Sequence, residues 1–240
     1  MTAPIRLYYF NSPNGRKITI MLEELGVPYT LTPISMSRRD NYRPEFSVFS
    51  PNNKMPAVVD PEGPDGKPVS VFESGAILKY LAEKHGRFYG ASWRERIKVD
   101  EWLFWQVGGF GPFLGQNEHF SQNAPEQIVY AIRRYLDETR RLYTVLDGQL
   151  ARQKARGVEF VAGEGFSIAD IAIFGWARKW KDLGMIREDF PDVSRWHDMI
   201  DARPAVQRAL ALAGTIPKPV PDPGQAFADD LRLLGVRLGV

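Results

Sequence analysis

The sequence predicts a small α/β domain followed by a larger all-helical one. Three observations lead there. Four short apolar runs, each bounded by turn residues, all fall before residue 75, with helical periodicity between them. From about Ser92 strand signals cease and apolar residues recur at helical spacing. Prolines and glycines then mark helix openings and ends rather than hairpins.

The elements follow in order. "IRLYYF" (5–10) reads as a buried strand. Gly15 to Leu25 carries Ile18, Met21, Leu22 and Leu25 on one helical face and is closed by Gly26. "YTLTPIS" (29–35), "KMPAVVD" (54–60) and "PVSVFES" (68–74) are the remaining strands, with "DPEGPDG" as a hairpin loop between the last two. Ser74 is placed to cap a helix from Gly75 to about Lys84. In the second half, "RERIKVDEWLFWQV" is helical, and "GGFGPFLGQ" (108–116) interrupts or bends it. Pro125 suits the first turn of a long helix reaching about Lys154. Ser167 and Asp170 have capping-box spacing, and Pro191 and Pro204 look like two further helix openings. The Pro-rich tail ends in "FADDLRLLGVRL", whose spacing supports a short docked helix. The expected domains are 1–86, 92–214, and a tail over 215–240.

Composition narrows the function. The 240 residues are enough to bury a sizeable core. With 31 basic and 29 acidic residues and no basic cluster, nucleic acid is not an expected partner. No run approaches the ~18 apolar residues of a membrane helix. The opening "MTAPIRLYYF" lacks the pattern of a secretory leader, so a cytoplasmic location is expected. The sequence contains no cysteine, which removes disulfides, thiolate metal sites and any thiol nucleophile of the protein's own. His85, His119 and His197 lack ligand spacing, so no metal site is expected.

Three constellations carry chemistry. Ser12 and Asn14 sit in the turn "NSPNG" at a helix N-terminus, where hydroxyl, amide and free N–H groups either serve the fold or hold an anion such as a thiolate. Pro56, in "NNKMPAVV", reads either as a strand opening or as a cis Met55–Pro56 bond that presents the Met55 backbone to an extended ligand. Glu73 and Ser74 stand where a strand hands over to a helix. There a ligand carboxylate meets Ser74 and free N–H groups, and a ligand ammonium meets Glu73; the bland alternative is an ordinary N-cap beside a surface acid.

In this order, and with "SPNGRK", "RPEF…SPNNKMPAVVD", "FESGAILKYLAEK", "WLFWQVGGFGPFLGQNEHF" and "SIADIAIFGW", the chain resembles the cytosolic glutathione transferases over about residues 5 to 213. Within them it looks like the nu class, which includes bacterial glutathione-dependent disulfide-bond oxidoreductases and is related to a fungal nitrogen-regulating prion protein. The resemblance implies a thioredoxin-like N-terminal domain, an all-α C-terminal domain and a homodimer. It implies glutathione as co-substrate, glutathione or glutathione disulfide as bound partner, and a small disulfide or electrophile as the second substrate. Ser12 stands where the class usually has Thr, and Asn14 matches the asparagine at the glutathione sulfur; these two are the catalytic candidates. Asn41, often Gln in relatives, Lys54, Met55, Pro56, Glu73, Ser74 and Arg134 match glutathione-binding positions. Phe110, Phe113, Asn117, His119 and Trp176 are the expected lining of an acceptor pocket. Tyr8 and Tyr9 match the catalytic tyrosine of other classes poorly, since they lie inside the strand. The implied activity is disulfide reduction by a stabilised glutathione thiolate, with weak conjugation or peroxide reduction. A conjugating transferase and a catalytically idle glutathione-binding regulator are the alternatives.

Overall fold

The computed structural model describes residues 3–215 and 223–236, and the chain divides into two compact units, 1–81 with 205–240 and 82–204.

The first unit is built on strands β1 (Ile5–Tyr9), β2 (Tyr29–Pro33), β3 (Ala57–Asp60) and β4 (Val69–Phe72), in the order β2-β1-β3-β4. β1 pairs parallel with β2 and antiparallel with β3, and β3 pairs antiparallel with β4. This β-α-β then β-β-α arrangement is the thioredoxin-like fold expected. The parallel pairing demands a crossover, which α1 (Pro13–Leu25) supplies. Ser12 caps α1, Pro13 sits in its first turn where its missing N–H costs nothing, and Gly26 closes it at φ 69° with its N–H on the Leu22 carbonyl. Ile18, Ile20, Met21 and Leu22 are fully buried, each worth about 1.5–3 kcal/mol relative to exposure.

One sheet face carries Tyr8, Ala57 and Val59, which pack with Phe46 and Phe49 of α2 (Pro44–Phe49) and with Phe227 and Leu231 of α10 (Gly224–Leu233). Tyr8 stacks on Phe49 at 5.1 Å, its hydroxyl donates to Asp230 at 2.6 Å, and Arg6 pairs with the same carboxylate. α2 is not among the elements expected from the sequence, because its six residues are too few for helical periodicity to register. The short tail helix is present as α10; the flanking tail residues 216–222 and 237–240 lie outside the described residues. α3 (Ser74–His85) follows β4, and α9 (Pro204–Thr215) joins the first unit through Arg208, which binds Glu23 at 2.7 Å.

The second unit is helical. α4 (Trp93–Trp105) and α5 (Gly111–Glu118) are joined by a π-wound turn at Gln106–Phe110, and a second π turn, His119–Asn123, follows α5. The glycine-rich stretch therefore widens the helix without breaking it. Pro125 does not open the long helix: Ala124 before it is extended (ψ 139°), as a residue preceding proline prefers, and α6 spans Val129–Ala155. Every residue of α7 (Ile168–Ala177) is buried, and α8 (Pro191–Asp201) opens at its proline as expected. Asp170 accepts from Val161 N–H, Ser167 N–H and hydroxyl, and the Trp196 indole, so the capping box is real and serves the fold. Among the described residues no helix is long and apolar enough to cross a membrane.

Candidate active site

Asn14, Ser50, Lys54, Met55, Pro56, Phe72, Glu73 and Ser74 line one small cleft of about 50 Å³ in the first unit. Three chain reversals bring them together: the β1–α1 turn, the loop before β3, and the β4–α3 junction.

At the first, the Ser12 hydroxyl oxygen accepts the Gly15 N–H at 3.2 Å. A serine hydroxyl has one proton as well as two lone pairs, so this bond leaves the proton for another acceptor. Gly15 is required by close approach: a Cβ there would stand 2.3 Å from the Phe10 carbonyl oxygen. Asn14 lies in the opening turn of α1, among N–H groups that lack intrahelical partners.

At the second, the Met55–Pro56 bond is cis. Side chains fix the loop before it: Ser50 donates to the Lys54 carbonyl at 2.9 Å, Ser47 donates to the Asn53 side chain at 2.7 Å, and the Asn41 amide donates to the Asn53 carbonyl at 2.8 Å. Asn41 is 2% exposed. Its amide nitrogen thus holds the loop, and Asn41 is not among the residues lining the cleft. Met55 also packs against the aromatic cluster beneath α2.

At the third, Glu73 adopts φ 69°, and its carbonyl accepts the Ile77 N–H at 2.9 Å, so Glu73 rather than Ser74 closes the first turn of α3. Beneath it lies a residue that its sequence context did not single out. Lys17 of α1 is 1% exposed, and its ammonium donates to the Ser74 hydroxyl at 3.1 Å. Burial pushes its pKa down to about 7, with the Glu73 carboxylate opposing that shift. A signal was present: Lys17 is three residues after Asn14 and four before Met21, on the face that helical periodicity assigns to the interior.

The remaining candidates belong to the second unit. Arg134 is half-exposed on α6 and faces Glu138 at 3.6 Å. Phe110 is 0% and Asn117 2% exposed, the latter donating to the Leu183 carbonyl at 3.1 Å. Trp176 is buried against Gly111 and Gly115. Phe110, Asn117 and Trp176 are thus buried, whereas Phe113 and His119 keep exposed surface. Tyr8 and Tyr9 are both buried in the sheet, where desolvation raises their pKa values and works against ionisation. Among the described residues no group of histidines and acids could hold a metal.

Residues 11–84 match the family model for the glutathione S-transferase N-terminal domain, and residues 122–204 match that for the C-terminal domain. The chain is 48% identical to the disulfide-bond oxidoreductase YfcG of Escherichia coli, over 87% of this chain and 95% of that one. It resembles a solved glutathione transferase from Pseudomonas putida with one glutathione disulfide bound per subunit, at TM-score 0.80 and 40% identity, covering 90% of this chain and 92% of the other. The nitrogen regulation fragment of the yeast prion protein Ure2p is similar at TM-score 0.81 and 32% identity, with 87% and 96% covered.

Proposed function

The chain belongs to the glutathione S-transferase family of enzymes, and on that footing we propose that it is a glutathione-dependent disulfide-bond reductase. The observation carrying this reading is one cleft that gathers a partner for each part of glutathione. Ser74 and the opening N–H groups of α3 suit the γ-glutamyl carboxylate, and Glu73 suits its ammonium. The Met55 backbone beside cis-Pro56 suits the cysteinyl amide, and Lys54 suits the glycyl carboxylate. The thiol then meets Asn14 and the N-terminus of α1, and the Ser12 hydroxyl, in the same turn but outside the cleft lining, is the second proposed donor to it. Similarity to a disulfide-bond oxidoreductase and to a structure holding glutathione disulfide supports the same reading.

The chemistry is a thiol–disulfide exchange. A free cysteinyl thiol ionises near pH 8.5, so only a few per cent is thiolate at neutrality. Lowering that by about 1.5–2 pH units requires about 2–3 kcal/mol, within reach of two charge-assisted donors and a helix N-terminus. The thiolate attacks one sulfur of the substrate disulfide, forming a mixed disulfide and expelling the other sulfur as thiolate, which takes up the proton glutathione lost. A second glutathione displaces the remaining substrate thiol, so two glutathiones become glutathione disulfide as one substrate disulfide becomes two thiols. The protein contributes proximity and thiolate stabilisation, since it has no thiol of its own. Weak conjugation and peroxide reduction would use the same thiolate. A homodimer belongs to this reading, and α4 exposes Trp93 and Phe104, 78% and 62%, for such a contact.

A coupled assay tests it: protein, glutathione, hydroxyethyl disulfide, glutathione reductase and NADPH. Turnover that drops sharply in Asn14→Ala supports it. Glutathione binding without turnover would shift the assignment to a binding protein, as the alternative regulator predicts.

A further inference from the structure

We propose that Lys17 is a positioning residue that makes the cleft selective for a ligand bearing a carboxylate beside its ammonium, by directing the Ser74 hydroxyl outward. The proposal rests on the glutathione reading and adds to it a residue that never touches ligand. An ammonium can only donate, so the 3.1 Å bond from Lys17 occupies a lone pair of Ser74 and cannot consume its proton. That proton must seek another acceptor, and Ser74 lines the cleft. Because Lys17 is 1% exposed, its charge acts through a weakly screening interior, polarising the hydroxyl and attracting an anion set behind it.

The neighbouring residue completes the selectivity. Glu73, held at φ 69° on the same junction, lines the same cleft with charge of the opposite sign. Lys17 behind Ser74 and Glu73 beside it thus offer one positive and one negative subsite on consecutive residues, the pattern of an α-amino acid head group. A buried lysine is costly unless compensated, and an apolar side chain would fill its place on α1 at less cost to the fold. Burial disfavours this charge, so a bound carboxylate, by stabilising the ammonium, keeps the Lys17 nitrogen a donor toward Ser74.

Calorimetry with two ligands tests the proposal: S-methylglutathione, and its analogue with a 4-aminobutanoyl group in place of γ-glutamyl, which lacks only the α-carboxylate. Each is titrated into wild type, Lys17→Met and Lys17→Gln, with folding checked by circular dichroism melting. Ligand too weak to titrate directly is measured by displacing S-methylglutathione. Both variants should weaken S-methylglutathione by about tenfold or more, as loss of a charged hydrogen-bonded group implies. Both should leave the decarboxylated analogue within about twofold of wild type, as expected for uncoupled sites. Equal weakening of the two ligands, no weakening of either, or failure of both variants to fold would assign Lys17 to the fold alone and overturn the proposal. Wild type that does not bind S-methylglutathione would instead sink the glutathione reading itself.

Discussion

Replacing Ser12 separates the two uses of a single hydroxyl. Its oxygen caps α1 through the Gly15 N–H at 3.2 Å, and its proton is the proposed donor to the bound thiolate. Ser12→Ala removes both. Loss of the cap costs about 1 kcal/mol, and for a chain of this size each kcal/mol lowers Tm by about 2–4 °C. Loss of a hydrogen bond to a charged group costs about 1.5–3 kcal/mol, which raises the bound thiol's pKa by about 1–2 units. Ser12→Gly removes the donor and keeps most of the capping, since glycine at an N-cap costs only a few tenths of a kcal/mol. The residue sits at φ −129° and ψ 165°, which either replacement adopts without strain. The assay is kcat/KM for hydroxyethyl disulfide against pH. Wild type should rise to a plateau with a midpoint about 1.5–2 units below the free thiol's. In both variants the midpoint should move up by about 1–2 units, with rates about tenfold or more lower below it and converging above it. Only Ser12→Ala should melt measurably lower. An unshifted midpoint in both variants would refute the assignment of Ser12 as a thiolate donor.

Three further outcomes are expected. Phe227→Ala should cost about 3–5 kcal/mol by opening the cluster around Tyr8, Phe46 and Phe49, lowering Tm by roughly 10 °C in calorimetry. Gly15→Ala, whose Cβ meets the Phe10 carbonyl at 2.3 Å, should cost about 1–3 kcal/mol in denaturant titration and also weaken glutathione binding, because the α1 turn must shift. Burial pushes the Asp170 carboxyl up to about 6, above its unfolded value of 3.8. The native state therefore binds more protons across that window, and Asp170's contribution to stability is full below it and falls as pH rises through 6. Asp170→Asn should flatten this slope between about pH 4 and 6, checked by urea midpoints at several pH values.

The α/β-then-helical order was legible because each strand of the first unit is a short apolar run ended by turn residues, and because α8 and α9 begin at prolines. The cleft was legible in part because its residues cluster at chain reversals, where hydroxyl, amide and acidic side chains stand out. What escaped depended on three-dimensional neighbours. Lys17 looks like a surface lysine until the register of α1 turns it inward toward Ser74. Asn41 matches a ligand-contacting position, and the hydrogen bond by which its amide also holds the Asn53 carbonyl depends on a loop that the sequence does not place beside it. Phe110 and Asn117 look like pocket residues in a glycine-rich segment, whereas the fold buries both side chains. Pro125 has two local readings, helix opener or helix stopper, and the extended Ala124 before it decides for the second. On sequence alone the helical domain runs to 214, whereas the chain from Ala205 onward belongs with the first unit, a grouping that no periodicity encodes.

The most direct test is to titrate the thiol of bound glutathione by its ultraviolet thiolate absorbance, in wild type and in Asn14→Ala. A midpoint about 1.5–2 units below that of free glutathione in the wild type, moving back toward the free value in the variant, is the expected result. A bound thiol that titrates at the free value in the wild type would contradict thiolate stabilisation by the α1 turn, whatever the protein's turnover.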